Sequence, residues 1–142
     1  MIKQQLILFL EKELSLTIQY DLSHVNSSYI AGRDVYIGKY DNLESELISI
    51  FHEYGHTKIT QDLIKFLNYN TLLIELECWN IGLKKAESLG FHFSDQAIKW
   101  GYEQALSYVG WDERECNSYG HKVKPNLLIN KLTLESTINF MV

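Results

Sequence analysis

The hydrophobic period of this chain changes twice before residue 50, and that alternation narrows the architectures open to it. From Ile2 to about Leu14 the apolar residues Leu6, Ile7, Leu10 and Leu14 recur at helical spacing, which predicts an amphipathic helix. Leu16, Ile18 and Tyr20 then alternate with Ser15, Thr17 and Gln19, and two further β-rich runs, SSYIA and DVYIG, flank Gly32 and Arg33. This pattern predicts a small antiparallel sheet of about three strands, the last two forming a hairpin. Helical spacing returns after DNLE at Asp41 to Glu44, which has the form of a capping box with an acidic N-cap. A helix carrying the stretch HEYGH follows, and a further one is predicted from Thr71, as N-cap, to Leu89, with Gly90 as its stop. Ser94 opens another helix that Gly110 ends, and WDERECNSYG offers one more short helical turn. The apolar run after Pro125 fits strand and helix equally. The expected fold is α+β, with the sheet confined to the first third of the chain.

At 142 residues, with 46% hydrophobic and 13% aromatic content, the chain can bury one compact core and is too short for two ordinary domains. A single domain over 1–142 is expected. The net charge of -5 argues against a broad basic footprint, so no direct nucleic-acid partner is expected. LILFL at Leu6 to Leu10 is far short of the roughly 20 residues of a membrane span, and acidic residues follow it. A soluble, cytoplasmic protein without a membrane partner is expected. Cys78 and Cys116, the two cysteines, have no C-x-x-C spacing, so neither a thiolate metal site nor a disulfide framework is predicted.

His52 and His56 lie four residues apart, hence on one helix face with Cβ atoms about 5–6 Å apart, and can grip one ion. Leu43, Leu47, Ile50, Phe51 and Tyr54 cluster on one side of this helix, whereas Ser45, Ser49 and the histidines share the other. Glu53 falls on the flank of the histidine face, where a carboxylate reaches a water on the metal without being a ligand itself. A solvent-facing polar stripe has the same composition, so a third ligand decides between the readings. A catalytic zinc takes three protein ligands and keeps one position open. Three carboxylates are candidates. Glu75 sits in the centre of an apolar face formed by Leu72, Trp79, Gly82, Ala86 and Leu89, where a carboxylate is costly unless paired or bound to metal. Asp62 stands at the third-ligand position of the longer pattern H-E-x-x-H-x-x-G-x-x-H, but Ile59 occupies the glycine position and no methionine lies between Met1 and Met141. Glu77 points with the lysines of its helix.

With His52, Glu53, His56 and a helical Glu75 placed 19 residues after the second histidine, the chain resembles the gluzincin type of zinc metallopeptidase. More narrowly, it is similar to the ImmA/IrrE-like small zincins of phages and mobile elements over about Leu16 to Ala86. The pattern E-x-x-A-x-x-x-A of that group reads ELECWNIG here, with Cys78 and Gly82 at the small-residue positions. The resemblance implies a minimal zincin-like domain, Zn2+ as cofactor, and a protein or peptide substrate, such as a regulatory protein. The resulting expectation is a zinc-dependent metalloendopeptidase in which His52, His56 and Glu75 bind the metal and Glu53 activates the attacking water. His92, His121, Tyr119 and Arg114 are candidates for the oxyanion donor, and the hairpin at Ser27 to Gly38 for a substrate-aligning edge. The tryptophans Trp79, Trp100 and Trp111 are expected to pack in the core. The rival expectation from another class is a zincin-shaped binding module, a phage or mobile-element effector whose metal is structural. An ordinary helical domain without metal is the third.

Overall fold

The computed structural model describes residues 2–115. Its order is α1 (Lys3–Leu14), β1 (Thr17–Val25), β2 (Ser28–Ala31), β3 (Asp34–Lys39), α2 (Leu43–Lys58), α3 (Gln61–Phe66), α4 (Thr71–Ser88), α5 (Asp95–Leu106) and a 3-10 turn at Glu113–Glu115. This is an α+β arrangement of five helices and one three-stranded sheet.

The sheet is mixed, which corrects the expectation of an antiparallel one. Its order is β1-β3-β2, with β2 and β3 antiparallel and β1 and β3 parallel. Burial gives the reason. Val35 and Ile37 of β3 are fully buried, whereas β1 buries only Ile18 and β2 buries no residue completely. The most apolar strand therefore takes the centre, where both of its edges are paired. To let β3 enter between the others, the link from β1 to β2 crosses close over it. At the crossing a Cβ on Gly38 would overlap the carbonyl oxygens of Ser27 and His24.

Helix starts differ by one residue from the expected caps. Asn42, not Asp41, caps α2 by accepting from the Ser45 N–H at 2.8 Å. Asn70, not Thr71, caps α4 through the Leu73 N–H. Thr71 is instead buried, and its hydroxyl donates to Glu113 at 3.0 Å, tying the 3-10 turn to the start of α4. Ser94 caps α5 as expected, but the helix ends at Leu106 rather than reaching Gly110. The short α3, capped by Thr60, separates the two long helices and had no clear periodic signal.

α2 lies at the middle of the molecule. On one side Leu47, Ile50 and Phe51 pack with Leu10 and Leu14 of α1, Val35 and Ile37 of β3, and Ala86. On the other, Ile48 joins Leu72, Leu76 and Trp79 of α4 and Ala97, Tyr102 and Ala105 of α5. Burying large apolar side chains on both flanks stabilises α2 by about 1.5–3 kcal/mol for each. The polar residues left between these flanks are thereby enclosed. No helix among the described residues is long and apolar enough to cross a membrane.

Candidate metal centre

α2 and α4 meet backbone to backbone. A Cβ on Gly55 would overlap the Cys78 carbonyl, and one on Gly82 would overlap the Phe51 carbonyl. Two glycines, one on each helix, thus permit an approach that larger residues would prevent. The approach brings the histidine face of α2 against the face of α4 that carries Glu75.

There three donor atoms converge. His52 Nε2 lies 2.9 Å from Glu75 Oε2, His56 Nε2 lies 3.2 Å from the same oxygen, and the two Nε2 atoms are 3.2 Å apart. Among the described residues these three form the one group able to hold a metal ion through three ligand atoms. Donor atoms around a tetrahedral zinc with bonds of about 2.0–2.1 Å stand about 3.3–3.4 Å from one another. Two sides of the triangle, at 3.2 Å, come close to that spacing, and the third, at 2.9 Å, is shorter and would open slightly around an ion. The Glu75 side chain is 11% exposed, that of His52 14% and that of His56 26%, so the triangle is largely enclosed with His56 on its open side.

The surroundings fix the ligands. Trp79 stacks on the His52 ring at 4.0 Å between centroids and 9° between planes. Its indole Nε1 is buried with no hydrogen-bond partner among the described residues. Cys78, fully buried, places Sγ 3.5 Å from His56 Nδ1. Beside the triangle opens a cleft of about 130 Å³, with Glu53, His52, Glu75 and Trp79 on one wall and Ser27, Ser28 and Tyr40 on another. Trp100, Gln104 and Ser107 border it from the region of α5. The Tyr40 hydroxyl and Ser28 Oγ are hydrogen-bonded at 2.7 Å.

Electrostatics separate the two carboxylates. Burial pushes Glu53 up to about 7, with nearby His56 opposing the rise and Glu75 adding to it. At Glu75 burial works in the same direction, but the hydrogen bonds and charges of His52 and His56 outweigh it and hold the carboxyl well below its ordinary range. Burial lowers His52, whereas at His56 the burial penalty is exceeded by Cys78 and Glu75, which raise it. Glu53 accepts no hydrogen bond among the described residues; its closest imidazole nitrogen, His52 Nδ1, is 3.6 Å away. One carboxylate is locked among the donor atoms and the other stands uncommitted beside them.

Of the other residues singled out by sequence, Asp62 lies on α3 outside the cluster, and Glu77 is half-buried on α4 with its charge toward Tyr102. His92 is exposed. Arg114 pairs with Asp112 at 2.7 Å and lies over the Tyr69 ring. None of these lines the cleft. Tyr119 and His121, with Cys116 and the run after Pro125, lie outside the described residues. Trp79 and Trp100 pack edge to face, as expected of core residues, yet both also line the cleft. Sequence reasoning missed Tyr40 and Cys78 as neighbours of the site. For Cys78 a signal existed, because it stands three residues after Glu75 and so shares its face of α4. Comparison with protein-family models, curated proteins and solved structures finds no match to this chain.

Proposed function

We propose that the protein is a zinc-dependent metallopeptidase that hydrolyses a peptide bond in a protein or peptide substrate, with His52, His56 and Glu75 holding the metal and Glu53 acting as general base. The observation that carries this reading is the meeting of a three-donor triangle with a buried carboxylate that has no hydrogen-bond partner, at the wall of a cleft. A zinc ion held by the triangle supplies Lewis acidity toward a water and toward a peptide carbonyl.

The chain's own residues do the rest. Glu53 takes the proton of the attacking water and returns it to the leaving amine. In the metal-free protein burial raises this carboxyl to about 7. Glu75, whose Oε2 stands with both Nε2 atoms in the triangle, serves as a ligand rather than a second base. Ser27 and Ser28 bring the start of the edge strand β2 to the cleft, and an extended substrate backbone can align along that edge. The Tyr40 hydroxyl lines the same cleft, from which His92 and Arg114 are absent, and serves as the oxyanion donor. The free thiol of Cys78 suits a reducing compartment, and the proposal places the reaction in the cytoplasm.

The test is a mass-spectrometric search for new termini in a proteome-derived peptide library incubated with zinc-loaded protein. The proposal expects termini from the wild type that disappear with Glu53→Gln and with a chelator. Zinc-loaded wild type that produces none, or produces as many as Glu53→Gln, points instead to a binding module with a structural metal.

A further inference from the structure

The two histidines of the cluster are oriented by different means. His52 Nδ1 has no hydrogen-bond partner among the described residues, the Glu53 carboxylate lying 3.6 Å away, and the ring stacks on Trp79. His56 Nδ1 instead faces Cys78 Sγ at 3.5 Å, within reach for sulfur. A neutral imidazole carries one N–H, and the nitrogen without it is the one that can bind a metal. His56 Nε2 is the atom turned toward His52 and Glu75, so a ligating His56 must carry its hydrogen on Nδ1, and the acceptor in place there is Cys78 Sγ.

We propose that Cys78 is the positioning residue of His56, its sulfur accepting from Nδ1–H and so fixing the tautomer and ring orientation that leave Nε2 free for the metal. The inference rests on the metal-centre reading and deepens it. The sulfur is placed by backbone as well as by side-chain packing, because the Cys78 carbonyl is the atom that a Cβ on Gly55 would overlap. Gly55 immediately precedes His56. The close helix contact and the sulfur-to-imidazole contact therefore fall on the same residue of α4. Alanine would satisfy the packing and leave the Nδ1–H without a partner.

Zinc affinity, measured by competition with a chromophoric chelator on the full chain, tests this for wild type, Cys78→Ser, Cys78→Ala and Cys78→Val, with the unfolding midpoint of each metal-free protein recorded alongside. Removing the outer partner of a ligating histidine is expected to weaken zinc binding by about 10–100-fold. Valine refills the volume without an acceptor, so it is expected to bind as weakly as alanine, whereas serine, whose hydroxyl can accept, falls between them and wild type. Where valine disturbs the metal-free midpoint, serine against alanine carries the test, with serine expected to bind more tightly. Valine as tight as wild type assigns Cys78 to packing alone and overturns the inference, as does serine no better than alanine. Wild type that binds no zinc overturns the metal-centre reading itself, and this inference with it.

Discussion

Glu46 and Glu53 stand seven residues apart on α2, two turns along the same side of one helix, and are buried alike, at 8% and 7% exposure. Their surroundings differ completely. Glu46 is ion-paired with Lys3 of α1 at 2.9 Å and accepts from the Tyr20 hydroxyl of β1 at 3.2 Å. Its charge has a cation and a donor assigned to it, and the interaction joins the first helix and the sheet to α2. Glu53 instead accepts no hydrogen bond among the described residues, has the His52 imidazole at 3.6 Å and the charge of His56 nearby, and lies next to a triangle of ligand atoms at the wall of a cleft. Burial without a partner is costly for a carboxylate, and a fold that retains it gives up stability at that position. The contrast separates a carboxylate tied to its neighbours from the one to which the proposed function assigns proton transfer.

The comparison breaks most clearly in activity. Glu53→Gln is expected to lower peptide hydrolysis by about 10²–10⁴-fold, while Glu46→Gln leaves it within a few-fold, as initial rates on one cleaved peptide will show. Equal losses from both substitutions would remove the distinction.

Stability should move the other way. In the metal-free protein the Glu53 pKa rises from 4.5 unfolded to about 7 folded, so between these pH values the folded state binds more protons than the unfolded one. Stability contributed by this group is therefore lost as pH rises through that window. Glu53→Gln should abolish that fall and leave the metal-free protein more stable than wild type at pH 8 by up to about 3 kcal/mol, read from denaturant midpoints. Glu75, with a lowered pKa, acts in the opposite sense: its contribution is present above pH 4.5 and lost on further acidification. A stability difference between metal-free wild type and Glu53→Gln that stays constant from pH 4.5 to 7 would contradict the raised, buried state of Glu53.

Gly55→Ala forces α2 and α4 apart, with an expected cost of about 1–3 kcal/mol and weaker zinc binding, both measurable by titration. The smallest effect is expected at the paired carboxylate. Lys3→Met removes a partner whose side chain is 53% exposed, and should change stability by no more than about 1 kcal/mol in thermal unfolding.

These predictions draw unequally on what the sequence makes legible. Histidines four apart on an amphipathic helix, and a glutamate at the centre of the apolar face of another, need only helical geometry to be read, and the structure puts their donor atoms together. The mixed sheet needed more. Local alternation marks strands but not their partners, and the insertion of β3 between β1 and β2 depends on the crossing at Gly38, which spans more than ten residues of chain. The caps at Asn42 and Asn70 were displaced by one residue because an adjacent acidic or hydroxyl side chain satisfies the same preference. Tyr40 was legible only after the end of β3 was known, and Cys78, though its spacing puts it on the face of Glu75, could be matched to His56 only once the helix contact was known.

Zinc content per chain, determined on untagged protein for wild type, His52→Ala and Glu75→Gln, tests the central claim most directly. The account predicts close to one zinc per wild-type chain and little in either variant. A wild type that holds no zinc after reconstitution would contradict it and leave HEYGH as a buried polar cluster of the helix.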